Sequence, residues 1–160
     1  MSSRIYAAED DDNIREILRC TLESYGYEVE VFESAAPMLE RMRQQLPDLV
    51  LMDVCTEGGA SGLKAVEDIR KSDEEIKIIV MTAFDEITYI PRAKAAGANG
   101  FIYKSRSLND FLEVARAVMA GGSSFPEPKT IPLPQGEAPL TDREMEVLRL
   151  MCKHMTNQEI

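Results

Sequence analysis

A chain of 160 residues can hold one well-buried domain and an appendage, but hardly two full domains. Its 44% hydrophobic and 29% charged content is that of a soluble globular protein, and no apolar stretch approaches the length needed to span a bilayer. A formal charge of −10 repels nucleic-acid phosphates overall, so contact with DNA would need a local basic surface, and none is visible.

The N-terminus, MSSRIYAAEDDDN, turns acidic before a signal-peptide apolar region can form, which predicts a cytoplasmic protein. Cys20, Cys55 and Cys152 show neither a CxxC pair nor even pairing, so reduced, mostly buried thiols are expected and no zinc site is suggested.

Ile5-Tyr6-Ala7-Ala8 reads as a short strand, followed by the acidic run Glu9 to Asp12 and a helix with Ile14, Ile17, Leu18 and Leu22 at helical spacing. Gly26 ends that helix, and Glu28 to Phe32 alternate as a second strand. Ser34 is expected to cap a helix carrying Met38, Leu39, Met42 and Leu46, with Pro37 in its first turn and Pro47 after its end. Leu49-Val50-Leu51-Met52-Asp53 is an apolar run ending in one carboxylate, the pattern of a buried parallel strand. A glycine-rich loop, Thr56 to Gly62, leads to a helix with Leu63, Val66 and Ile69 on one face. Ile76 to Met81 is a fourth strand ending in Thr82. The segment Asp85 to Ala96 should be helical, starting near Pro91 or kinked there, and closed by Gly97. Gly100 to Tyr103 makes a fifth strand that delivers Lys104. Ser107 with Asp110 opens a last helix, stopped by Gly121-Gly122.

Five strands alternating with five helices predict an α/β fold, a parallel sheet with helices on both faces and every strand's carboxyl end on one rim. Asp53 taken alone is as consistent with a capping or turn residue as with a site. On that rim, however, it would meet Glu9 and Asp10 after strand one, Thr82 after strand four and Lys104 after strand five. Clustered carboxylates raise one another's pKa unless a cation joins them, and oxygen ligands favour a hard ion such as Mg²⁺. With phosphate oxygens neutralised in this way, a carboxylate can act as nucleophile on a phosphoryl group while Lys104 and Thr82 hold the other oxygens.

The pieces AEDDDNIRE, LVLMD, VMTAF and GFIYK, in that order and spacing, make residues 1–122 resemble the receiver domain of a two-component response regulator. The resemblance implies the flavodoxin-like strand order 2-1-3-4-5. It also implies that Asp53 accepts a phosphoryl group from a sensor histidine kinase, and that Asp10, Asp53 and the backbone carbonyl of Cys55 ligate Mg²⁺, with Glu9 acting through water. Thr82, Ala83 and Lys104 would contact the phosphoryl group, and Phe101, at the switch-aromatic position, would turn inward when Thr82 moves. Two departures from the family pattern stand out. The loop from Asp53 to Gly62 is one residue longer than usual and carries Glu57 near the place of the usual proline, and Ser105 follows Lys104 where many receivers have a cis proline. A trans Lys104–Ser105 bond is expected.

Residues 123–139, with Pro126, Pro128, Pro132, Pro134 and Pro139, read as a semi-rigid linker. Beyond it, PLTDREMEVLRLMCKHMTNQEI resembles the opening of the four-helix, helix-turn-helix domain of the nitrate-regulator and quorum-regulator class, so residues 140–160 would be a fragment of a DNA-binding domain. Thr156 and Glu159 begin a helix with no room to continue, from which a truncated chain is expected. The resemblance implies transcription control and a phosphorylation-dependent homodimer for the intact protein. The recognition helix would lie past Ile160, so this fragment would not read DNA. Two other functions compete: a receiver serving as a phosphorylation-independent binding module, and a magnesium phosphohydrolase. Phosphohydrolases resembling haloacid dehalogenases need a second Asp two residues after the nucleophile, where this chain has Cys55.

Overall fold

In the computed structural model the described residues are 2–54, 61–83, 88–104 and 107–126, together with Asp142, Arg143, Met145, Glu146 and Arg149. The chain divides into two compact units, Met1–Pro128 and Lys129–Ile160. The described residues of the second unit are helical.

The first unit runs β1 (Arg4–Ala8), α1 (Asp12–Ser24), β2 (Glu28–Phe32), α2 (Ala35–Gln44), β3 (Leu49–Asp53), α3 (Ser61–Ser72), β4 (Lys77–Thr82), α4 (Tyr89–Ala96), β5 (Gly100–Tyr103) and α5 (Leu108–Met119). The strands form one parallel sheet in the order β2-β1-β3-β4-β5. Successive side chains of a strand point to opposite faces, so the sheet divides the core in two. Tyr6, Ala8, Val50, Met52, Ile78, Val80, Phe101 and Tyr103 pack with residues of α2, α3 and α4. Ile5, Ala7, Leu49, Leu51, Ile79, Met81 and Ile102 pack with α1 and α5. Burial on both faces explains why β3 reads as an unbroken apolar run.

Local chemistry sets most of the boundaries. Asp11 caps α1, its carboxylate accepting from the Asn13 and Ile14 amides at 2.9 and 3.1 Å, so this acid satisfies a helix start. Ser107 does the same for α5 through the Asp110 amide at 3.2 Å. Gly97 closes α4 in the left-handed region at φ 103°.

Three expectations are corrected. Ser34 occupies the cap position of α2, but its hydroxyl makes no bond to the first turn. Leu46 is not on the apolar face of that helix: α2 ends at Gln44 and Leu46 is 55% exposed, because a residue before proline is pushed out of the helical region. Ile17, expected on the buried stripe of α1, is 51% exposed, since it faces an open groove toward the start of α5, shared with Ile14 and Leu108. Pro91 is the third residue of α4, where its missing N–H is one that a helix start leaves unbonded anyway, so the helix begins just before it. Residues 84–87, expected in the same helix, lie outside the described residues, as does the Lys104–Ser105 bond.

Candidate functional site

Because all five strands are parallel, the residues that follow β1, β3, β4 and β5 emerge on one rim. β1 lies beside β3, with Ala8 opposite Met52, so Glu9 and Asp10 arrive next to Asp53. Glu9, Asp10 and Asp53 each place a carboxylate oxygen within 4.8 Å of the others. Glu9 and Asp53 are buried and Asp10 is exposed, so the cluster opens to solvent on one side.

Lys104, carried in by β5, is the counter-charge. Its Nζ lies 2.9 Å from Asp53 Oδ2 and 2.5 Å from Glu9 Oε2. The contact with Asp53 is a directed hydrogen bond. Glu9 Oε2 is close to the ammonium but outside hydrogen-bonding angles, which leaves a fully buried oxygen without a directed donor. Its partner oxygen, Oε1, accepts from the Asp11 amide at 3.1 Å. The backbone is fixed from both sides: Glu9 N–H donates to Phe32 O at 2.9 Å, and Arg15 donates to Glu9 O at 2.9 Å. Arg15 was not among the residues expected here, and only the α1 turn brings it back to Glu9.

Three acids face one ammonium, and burial and hydrogen bonding move them in different directions. Burial pushes the Glu9 carboxyl up to about 7, with the adjacent Lys104 ammonium opposing it and the Asp53 charge adding to it. Burial works in the same direction on Asp10, but hydrogen bonding with Glu9 and Asp53 and the Lys104 charge outweigh it and hold Asp10 below its ordinary range. Burial alone would lower the Lys104 ammonium, and its bonds to Glu9 and Asp53 instead raise it above the usual lysine value. The arrangement is an oxygen-only donor set with surplus charge and an unsatisfied buried oxygen, which fits a hard cation.

Thr82 is fully buried at the end of β4, and its carbonyl accepts the Lys104 amide at 2.8 Å, which ties the ends of β4 and β5 together. Ala83, the next residue, is exposed. Phe101 is not on the rim. It is buried, its ring edge-to-face with Tyr103 at 5.3 Å, and both belong to the core beside α4. Cys55 lies outside the described residues, as do residues 56–60 and the side chain of Ser61. Gly62 has a role that its type alone did not reveal: a Cβ there would sit 1.9 Å from the Asp53 carbonyl oxygen. Its own N–H donates to Val54 O at 3.2 Å, so the start of α3 presses directly on the backbone that carries Asp53.

Residues 5–116 match the response regulator receiver domain family. The chain belongs to that family. Among relatives of this receiver, the response regulator protein VraR of Staphylococcus aureus is 33% identical over 135 residues, covering 79% of this chain and 64% of VraR. A putative transcriptional regulator of Pseudomonas aeruginosa is 30% identical over 167 aligned positions, covering 99% of this chain and 80% of that protein. A solved LuxR-family two-component response regulator from an Aurantimonas species superposes with a TM-score of 0.72 at 25% identity, covering 94% of this chain and 99% of that one. The chain thus spans less than two thirds of VraR. Among the described residues of this receiver, no helix is long and apolar enough to cross a membrane.

Proposed function

We propose that this receiver is the phosphoacceptor part of a two-component transcription regulator, with Asp53 taking the phosphoryl group from a sensor histidine kinase. The observation that carries the reading is the convergence of Glu9, Asp10, Asp53 and Lys104 at one rim of a receiver sheet. Asp10, Asp53 and the Cys55 carbonyl would hold Mg²⁺, with Glu9 orienting a water. When bound, such an ion would supply positive charge to offset that of phosphoryl oxygens.

The chain's own residues do the rest. Asp53 is the nucleophile: one of its carboxylate oxygens forms a bond to phosphorus as the bond to the donor's leaving group breaks. Lys104, already 2.9 Å from Asp53, pairs with the transferred oxygens. The Thr82 hydroxyl and the Ala83 amide complete the cradle, and Phe101 follows the movement of Thr82. Transfer from the donor, and later hydrolysis in which water attacks phosphorus and the Asp53 carboxylate leaves, are both self-catalysed at Asp53.

Residues 1–122 form the receiver in this reading, 123–139 the linker and 140–160 the opening of a helix-turn-helix domain. DNA binding and a phosphorylation-dependent homodimer belong to the same reading, with the protein acting in the cytoplasm beside its kinase. The test is incubation with Mg²⁺ and acetyl phosphate followed by intact mass. One phosphoryl adduct per chain, lost in Asp53→Ala, is expected; no adduct, or one that survives the substitution, overturns the reading.

A further inference from the structure

We propose that residues 123–126, bridged to β5 at Ser124, form a detachable edge segment, clamped on the free edge of β5 while Asp53 is unmodified and loosened when Asp53 carries a phosphoryl group. This rests on the Asp53 reading above. β5 is the last strand of the sheet, and an uncovered edge is a row of unpaired amides and carbonyls. Ser124 covers it, bridging Gly100 in parallel. Ser124 N–H donates to Asn99 O at 3.0 Å, and Phe101 N–H donates to Ser124 O at 2.9 Å. Gly100 makes the approach possible, since a Cβ there would sit 3.2 Å from Ser124 O and 3.0 Å from Val118.

Phe125 is the side-chain anchor of the clamp. It packs against the core cluster that contains Phe101 and Tyr103, with the Lys94 ammonium 4.9 Å from its ring centroid. The docking is not tight. A groove of about 230 Å³ runs along the segment between β5 and α5, lined by Phe101, Tyr103, Asp110, Glu113, Ser124 and Phe125. Two hydrogen bonds and one half-buried ring make an attachment that opens at low cost compared with the sheet itself.

β5 links this clamp to the site. Its edge amide at Phe101 holds Ser124, and three residues on, Lys104 bridges Glu9 and Asp53. A phosphoryl group on Asp53 replaces a singly charged carboxylate with an acyl phosphate of about −1.5 to −2 and sets its acceptor oxygens beside that ammonium, so Lys104 shifts its pairing and the strand end shifts with it. The clamp is already seated in the unmodified chain, so the change the strand can pass on is its release. The segment beyond Pro126 then receives the state of Asp53 through backbone bonds.

Residue-resolved amide hydrogen exchange on the full chain tests this. In the unmodified chain the Phe101 and Ser124 amides are protected. Phe125→Ala accelerates both on the order of ten-fold while β1 and β3 amides stay unchanged, and Phe125→Leu retains most of the protection. With acetyl phosphate and Mg²⁺ in excess and the adduct confirmed by intact mass, the native chain shows the same acceleration. Unchanged exchange in Phe125→Ala overturns the clamp. A full adduct with unchanged Phe101 exchange overturns its coupling to the site. Absence of any adduct overturns the Asp53 reading and the coupling with it, while the Phe125→Ala comparison still decides the clamp.

Discussion

Glu9→Gln should remove a specific part of the protein's pH dependence. Glu9 is fully buried and its carboxyl is raised by burial to about 7, whereas in the unfolded chain it returns to its ordinary 4.5. Between those values the folded chain binds a proton that the unfolded chain has lost. Stability from this group is therefore complete below about pH 4.5 and is lost as pH rises to about 7. A separation of about 2.5 pH units corresponds to roughly 3 kcal/mol at 1.36 kcal/mol per unit, an upper value because neighbouring acids share the proton. Glutamine has nearly the same shape and does not titrate, so the variant should lack this slope and keep the remaining pH dependence. Urea unfolding followed by far-UV circular dichroism, in chelator, at intervals from pH 4.5 to 8 measures it. Parallel stability curves for the native chain and Glu9→Gln across that window would refute a proton held on Glu9.

The same proton should be displaced by metal: Mg²⁺ affinity, titrated calorimetrically in two buffers of different ionisation enthalpy, should rise with pH up to about 7 with proton release in that range. Lys104→Met leaves Glu9 and Asp53 buried without their counter-charge and should cost about 3 kcal/mol in denaturant unfolding at pH 8, with less lost below pH 5. Gly62→Ala drives a methyl into the Asp53 carbonyl and should destabilise by about 2 kcal/mol while slowing adduct formation, read by unfolding and by timed intact mass; native stability in that variant would contradict the close approach. Arg70 donates to the Gly97, Asp73 and Glu74 carbonyls and to Asn99 Oδ1, so Arg70→Ala should cost roughly 1–2 kcal/mol and speed exchange of the Ile78 amide, which Asn99 Oδ1 also accepts.

The strands were legible because a doubly covered parallel sheet needs short apolar runs, and β2, β3 and β5 begin and end where alternation and turn residues place them. The rim acids were legible for a related reason: a carboxylate at the end of a buried strand has no apolar environment to explain it, and two strands ending this way suggest one place. Boundaries governed by a single bond or a neighbour's shape were less so. Ser34 has the right residue type for a cap and does not make the bond, and Leu46 has the right spacing but Pro47 behind it. Ile17 shows the limit of periodicity, which tells which face of a helix is apolar but not where a neighbouring helix leaves a groove open beside it.

The order of residue types along the chain by itself determined the alternation of strands and helices, hence a parallel sheet, and hence that Glu9, Asp10, Asp53, Thr82 and Lys104 share a rim. That follows from right-handed crossovers and needs no distances. Only the tertiary structure decided how they share it: that Lys104 bridges Glu9 and Asp53, that Glu9 is the acid whose proton is held up by burial, and that Gly62 lies against the Asp53 carbonyl. It also decided that Ser124 and Phe125, within a proline-rich stretch that reads as linker, lie along β5. Pairing partners and desolvation depend on which residues distant in sequence meet in space, and a local pattern carries no record of that.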